Sequence, residues 1–419
     1  MYAQEDMWVL MKAFFEEKGL VRQHLDSYNE FVEKGLQRVI DEIGGVEVPV
    51  ESGNLYIEFG EVTIGTPRVT EVDGSFHEVT PLECRLRNLT YSAPLFLEMT
   101  PILNGKKMTT KSVYIGNLPV MLKSKICPLS DMSREELLAI GEDPDDPGGY
   151  FIINGSERVI VGLEDLAPNR VIIDIDRSGS RPVYRAKVFS TTVGFRTRVE
   201  VKLKPDGAIY VSIPGVSVEL PFVVVMKALG VEKDSEIAEM VSLDPVIMGQ
   251  LEPSFDKAPR IDSVERAITY IGNRVAYGQD EARRRLRACT ILDNNLLLHL
   301  GRSPDVRLKK ARYLAEIACR LIQLKLGLRA EDDKDHYANK RIRLAGPLLA
   351  DLFRSIFRDM IKDMAYQLER LSVKKLIEES VKLAIRPGIL TERMQHAIAT
   401  GNWGRGRVGI SQLLDRTNL

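Results

Sequence analysis

Residues 150–161 read YFIINGSERVIV. Two short apolar runs, rich in β-branched and aromatic residues, flank Asn154-Gly155. A two-residue hairpin turn needs φ > 0 at both central positions, and Asn-Gly meets that need at the least steric cost. The stretch therefore predicts an antiparallel hairpin. Upstream, residues 46–126 carry short alternating segments such as LYIEF (55–59), TYSA (90–93) and SVYI (112–115), which extend the antiparallel reading. The cluster DPDDPGG at 143–149 is a turn, and Ser133-Arg-Glu-Glu136 is a capping box that opens a short helix stopped by Gly141. Before this block, residues 1–45 read as two helices. Trp8, Leu10, Met11, Phe14 and Phe15 form an apolar face on the first. Ser27-Tyr-Asn-Glu30 reads as a capping box for the second.

Downstream of the hairpin a second β-rich block runs from Pro168 to about Phe222, with VIID (171–174) strand-like and VEVKL (199–203) cleanly alternating. Helices follow to about Leu300. In 306–328 and 347–371 apolar residues recur at helical spacing, and Gly346-Pro347 suits a helix start. The fold class is α+β, a multidomain chain of mixed antiparallel sheets with helices and a mostly helical C-terminal region. Boundaries fall near Ala167 and Asp305.

The 419 residues carry 58 Lys and Arg against 59 Asp and Glu, a net charge of −1. That total hides a division. Residues 301–419 sum to +10 and the first 300 to −11. A basic third is a plausible polyanion contact, which the bulk charge alone argues against. No apolar run approaches the roughly 20 residues of a membrane helix, and no secretory signal is evident. Cys84, Cys127, Cys289 and Cys319 form no CxxC pair, and no His stands at metal-ligand spacing from them, so they read as buried thiols in a reducing compartment.

Three stretches carry candidate chemistry. GNWGRGRVG (401–409) is a glycine-rich cationic loop in which Arg405 and Arg407 would neutralise phosphates and Trp403 would anchor the loop or stack on a base. A plain flexible loop has the same composition. EDDKDH (331–336) is either a Mg²⁺-binding carboxylate cluster or a solvated acidic loop pairing with Lys340, Arg341 and Arg343. SQLLDRTN (411–418) offers Gln412, Asp415, Arg416 and Asn418 for hydrogen bonds to phosphate, sugar or base, and reads equally as an amphipathic helix with a polar face.

These motifs also carry a likeness. Residues 150–161, DKDHYANKRIRLAGPLL (333–349), the segments AIATGNWG and GISQLLDRTN within 397–418, and FFEEKGLVRQHLDSYNEF (14–31) resemble the second-largest, β-type subunit of multisubunit RNA polymerase in its archaeal form. The resemblance implies a protrusion at about 1–167, a lobe at 168–305 inserted into it, a return to the protrusion at 306–329, and a fork from 330 onward that breaks off at the end of the chain. It implies that Asp333, Lys334, Asp335, His336, Lys340 and Arg341 belong to a first fork loop near the RNA–DNA hybrid. Residues 402–408, with Trp403, Arg405 and Arg407, would form a second fork loop where DNA strands separate. Gln412, Asp415 and Asn418 fall on polar positions of the segment that lines the rifamycin pocket in bacterial relatives, and Arg416 stands where the bacterial pattern has an amide.

The family performs nucleotidyl transfer by two-metal chemistry. The resemblance places the Mg²⁺ on the largest subunit, so this chain is expected to hold no catalytic residue, no metal and no cofactor, and to be inactive alone. Expected partners are the largest subunit, the C-terminal part of the second-largest subunit, other polymerase subunits, template DNA with the RNA–DNA hybrid, and general transcription factors, in the cytoplasm. A reading from another class is a stand-alone protein-binding module that docks transcription factors without contacting nucleic acid. A third is an autonomous Mg²⁺ enzyme built on Asp332, Asp333 and Asp335.

Overall fold

The computed structural model describes residues 4–50, 53–71, 75–192, 195–370, 377–403 and 408–417. It is a mixture of helices and antiparallel sheets, and divides into two compact units: Met1–Glu164 with Ile342–Leu419, and Asp165–Arg341.

In the first unit the alternating segments become a five-stranded antiparallel sheet of Gly45–Val50, Gly53–Ile64, Ser92–Leu103, Lys106–Lys107 and Lys111–Pro119. Period-2 alternation sends Leu55, Ile57 and Phe59 inward, with Leu95, Leu97 and Met99 beside them, while Tyr56 stays outside. Helix Ala345–Arg370 covers this face. Its Phe353 and Phe357 stack at 5.4 Å, and Phe357 meets Phe59 at 5.6 Å. Each such buried side chain contributes about 1.5–3 kcal/mol. Arg354, nearly buried on the same helix, donates from Nε to Glu42 Oε2 at 2.9 Å, and Arg358 donates to the other oxygen at 3.0 Å.

The N-terminal helices begin differently from the sequence expectation. Arg22–Glu30 starts at Arg22, so Ser27 lies inside the helix and caps nothing locally. Its Oγ accepts a hydrogen bond from Gly346 N at 2.9 Å, at the start of Ala345–Arg370. A Cβ at Gly346 would stand 2.1 Å from the Ser27 carbonyl oxygen, so only glycine permits the approach. The box at Ser133 does form, with both reciprocal bonds, and opens Arg134–Ala139. Asn154 and Gly155 have φ of 49° and 75°, the two positive values of a type I′ turn, between strands Phe151–Ile153 and Ser156–Ile160.

The second unit is built on a meander of five antiparallel strands, Val171–Asp176, Val183–Thr192, Phe195–Leu203, Ile209–Ser212 and Leu220–Pro221. The longest apolar run of the sequence turns at Pro221 into the buried helix Phe222–Ala228. Among the described residues no helix is long and apolar enough to cross a membrane. Helix Arg307–Lys325, which the resemblance assigns to the N-terminal block, belongs to this unit's core. Leu314, Ile317, Ala318, Leu321 and Ile322 pack with Val188, Val199 and Val201. Its Lys310 is fully buried and donates to the carbonyls of Leu292 and Asp293 at 2.9 and 2.8 Å, closing the end of helix Glu281–Asn294; burial pushes its ammonium down to about 8. Of the four thiols, Cys84 and Cys127 are buried in the first unit, whereas Cys289 and Cys319 are half-buried in the second, against the expectation that all four are buried.

Candidate nucleic-acid interface

Helix Pro387–Thr400 ends at Gly401, whose φ of 75° gives the left-handed cap, and its N–H bonds to the Ala397 carbonyl at 2.9 Å. The chain then enters the core. Trp403 is only 8 % exposed, and its Nε1 donates to the Leu348 carbonyl at 2.9 Å. Its indole is therefore the anchor of this segment. It is not a stacking platform, because its faces are packed and its one donor is occupied. Arg405 and Arg407 lie outside the described residues, as does Asn418.

Residues 411–413 form neither a helix nor a loop. Ser411–Leu413 adds as a third antiparallel strand to the hairpin, with Ser411 opposite Ile160, Gln412 opposite Val159 and Leu413 opposite Arg158. A segment this short has no preference strong enough to choose between helix and strand; the free edge of the hairpin supplies the choice. Ser411 faces inward, whereas Gln412 and Leu413 are exposed. Asp415 is exposed and takes the Thr417 N–H at 2.9 Å and hydroxyl at 2.6 Å in a local turn, which holds its carboxyl below the usual range.

Arg416 closes the arrangement. Its Nε and one terminal nitrogen engage both oxygens of Glu157 at 2.6 and 2.9 Å, and that nitrogen also reaches Tyr150 Oη at 2.9 Å and Asp146 at 3.2 Å. Its guanidinium stands 5.3 Å from the Tyr150 ring centre. Arg85 meets the same group from the other side, donating to Glu157 at 2.9 Å, Glu142 at 3.0 Å and Tyr150 Oη at 2.8 Å. Burial opposes ionisation of Glu157 and Asp146. The hydrogen bonds from Arg416, joined by Arg85 at Glu157 and by Tyr150 and the Gly148 N–H at Asp146, overcome it and hold both carboxyls below their ordinary values. Arg416 thus directs most of its donors to the protein. Sequence reading missed this network. Tyr150 and Glu157 sit inside the hairpin motif, but nothing in their spacing links them to Arg85 or Arg416.

In the second unit, the acidic run docks on the edge of the sheet. Asp332 accepts the Ile173 N–H at 2.9 Å and returns its own N–H to the Ile173 carbonyl at 2.9 Å, and Glu331 accepts the Ile175 N–H at 3.0 Å. These bonds cover an edge strand that would otherwise be open. Glu331 is also paired with Arg177, and Asp332 with Arg329 at 2.8 Å. Lys334 pairs with Asp174, whose carboxyl burial would raise but which Arg185, Lys334 and Lys187 hold far below the usual range.

Asp335 pairs with Lys340 at 3.3 Å, and its N–H bonds to Asp333 Oδ1 at 2.8 Å. His336 Nδ1 accepts the Ala338 N–H at 3.0 Å, and Arg341 donates to the carbonyls of Ala338 and Lys340. The carboxylates point to separate cations and amides and do not converge. Among the described residues no group of three or more His, Cys, Asp or Glu could hold a metal. This arrangement does not fit a Mg²⁺ site, so the reading of an autonomous enzyme on Asp332, Asp333 and Asp335 loses its site.

The comparisons with known proteins agree along the chain. Residues 19–392 match the family model described as RNA polymerase beta subunit. DNA-directed RNA polymerase subunit Rpo2 of Saccharolobus shibatae is 52 % identical over 416 residues, covering 99 % of this chain and 36 % of that protein. Rpo2N of Methanococcus vannielii is 48 % identical over 417 residues, 98 % of this chain and 83 % of that protein, and Rpo2N of Methanocaldococcus jannaschii is 46 % identical with the same coverage. The chain thus spans about a third of the length of the Rpo2 relatives and most of the Rpo2N relatives. The chain belongs to the RNA polymerase beta subunit family, and its likeness is to the N-terminal part of the archaeal second-largest subunit.

Proposed function

We propose that this chain works as part of a DNA-directed RNA polymerase, where it forms one wall of the DNA cleft and supplies the fork loops near strand separation. In this reading 1–167 is the first segment of the protrusion, 168–305 the lobe, 306–329 the protrusion's second segment, although its helix packs in the core of the second unit, and 330–419 the fork. The observation that carries it is the sequence identity of 46–52 % to polymerase subunits along nearly the whole chain. The strand Ser411–Leu413 adds support, because it is pinned at both ends, by Trp403 and by Arg416, with Gln412, Leu413 and Asp415 left facing outward. A pinned strand with free polar side chains can position a nucleic-acid strand without an ordering cost at each encounter. Arg416 acts here as the clamp of that strand, and the exposed Gln412 and Asp415 are its contacts, Asp415 through the carboxylate oxygen that Thr417 does not occupy. The partners are the largest subunit, the remaining part of the second-largest subunit, the other subunits, DNA with the RNA–DNA hybrid, and general transcription factors, in the cytoplasm. The Mg²⁺ of the assembled enzyme belongs to the largest subunit.

The test is reconstitution. Polymerase assembled with this chain should extend a primed template, and assembly without it should not. The chain alone with template and nucleotides should give no extension; extension by the chain alone overturns the reading. Changing Arg405 and Arg407 to Ala in the assembled enzyme should lower the salt dependence of forked-DNA binding, by up to about two in the log–log slope. An unchanged slope favours a module that docks transcription factors without touching nucleic acid.

A further inference from the structure

We infer that the helix pair Val264–Val275 and Glu281–Asn294 in the second unit is a docking surface for an acidic, amphipathic segment of a partner protein. The two helices close on each other where Gly272 meets the Arg284 backbone, so tightly that a Cβ there would lie 2.8 Å from the Arg284 carbonyl oxygen. That contact, with Ala288, Ile291 and Leu292 buried, fixes the outer face of the second helix. On this face Arg283, Leu286 and Arg287 stand at positions i, i+3 and i+4, one stripe of the helix.

Leu286 is 69 % exposed, and Tyr277, in the turn between the helices, is 95 % exposed. Arg283 and Arg287 are exposed and make no ion pair or hydrogen bond among the described residues. Their neighbours already have partners on the chain. Arg285 pairs with Glu281 and Glu265, Arg266 with Asp262, Arg284 bonds Asn273, and Arg274 lies over the Tyr270 ring.

Two unmatched guanidiniums one turn apart, straddling an exposed leucine, with an exposed tyrosine in the turn that precedes the helix, have the composition of a protein-interface core more than of a phosphate track. A phosphate backbone rewards the arginines and leaves Leu286 in contact with nothing apolar. A partner helix bearing Asp or Glu one turn apart, with an apolar residue between them, satisfies both kinds of group at once. The net positive stripe selects that charge sign.

The experiment uses the full chain and fluorescence anisotropy with three probes. These are a short helical peptide with Glu at i and i+4 and Leu between them, a scrambled peptide of identical composition, and a short duplex DNA. The patterned peptide should bind more tightly than the scrambled one. R283E with R287E should weaken it at least about tenfold, which is about 1.4 kcal/mol, and Leu286→Ser should weaken it severalfold. The same charge-reversed chain should gain affinity for the Lys counterpart of the peptide, a gain that an unfolded variant cannot produce. Equal binding of the scrambled peptide, absence of peptide binding, or tighter DNA binding lost with the same substitutions overturns the inference; the last outcome marks a nucleic-acid surface.

Discussion

In the run at 331–341 the carboxylates are used up on the chain itself: Asp332 and Glu331 take the edge amides of Ile173 and Ile175, and Asp335 holds Lys340. In the segment at 408–417 it is the backbone of 411–413 that is used up, in pairing with Ser156–Ile160, and the adjacent side chains of Gln412 and Leu413 are left facing out. Both stretches look alike as sequence, polar and short of long apolar runs. The difference teaches that a cluster of acidic residues is no evidence of a cation site until its hydrogen-bond partners are known, whereas strand addition can present polar groups ready for a ligand.

The sharpest way to break the second half of this comparison is to remove its anchor. Trp403→Ala should cost about 3–5 kcal/mol, from the cavity and the orphaned Leu348 carbonyl, measured as a shift of the urea midpoint. A loss below about 1 kcal/mol would mean the indole does not hold the segment.

Next in size is Glu157→Ala. It leaves Arg85 partly buried without one of its carboxylates and releases Arg416. The cost should be about 2–3 kcal/mol, reduced from the fully buried case because Arg416 is half in water. Amide exchange at residues 411–414 should rise with it.

Asp332→Ala should cost about 1–2 kcal/mol and speed exchange of the Ile173 amide while leaving residues 411–414 protected. Acid should act in both places. The carboxyls of Glu157, Asp146, Asp174 and Glu331 are all held below their ordinary values, so the unfolded chain binds more protons in that range. Their stabilisation is complete above the unfolded pKa of about 4 and is lost as pH falls through the folded values. Protection of both stretches that rises on acidification would contradict this electrostatic account. The smallest effect is expected at Gln412→Ala, within about 0.5 kcal/mol in stability, with its consequence confined to template or transcript binding in the assembled polymerase.

Much of this was legible locally. The Asn154-Gly155 turn and the Ser133 box act over two to four residues, and both formed as read. The alternation of 55–59 and 199–203 also marked the buried faces. The box at Ser27 failed because the same pattern sits inside a helix that had already begun, and its hydroxyl found Gly346, 319 positions away. The periodicity of 306–328 marked a helix, but could not show which sheet it covers. Trp403 was open between anchor and stacking platform until the packing around it was known.

By itself the sequence determined what short-range sterics and hydrogen bonding control: the signs of φ in the Asn154-Gly155 turn, the helix start at Ser133, and which face of a strand is apolar. It also carried the ordered motifs that reveal the family. Only the tertiary structure decided which charges meet, that Arg416 is a clamp on Glu157, and that the acidic run seals a sheet edge. The physical reason is that the worth of a charged or polar side chain depends on its burial and its partners. Those are set by segments more than 250 residues apart in the case of Arg416 and Glu157, a separation no local pattern encodes.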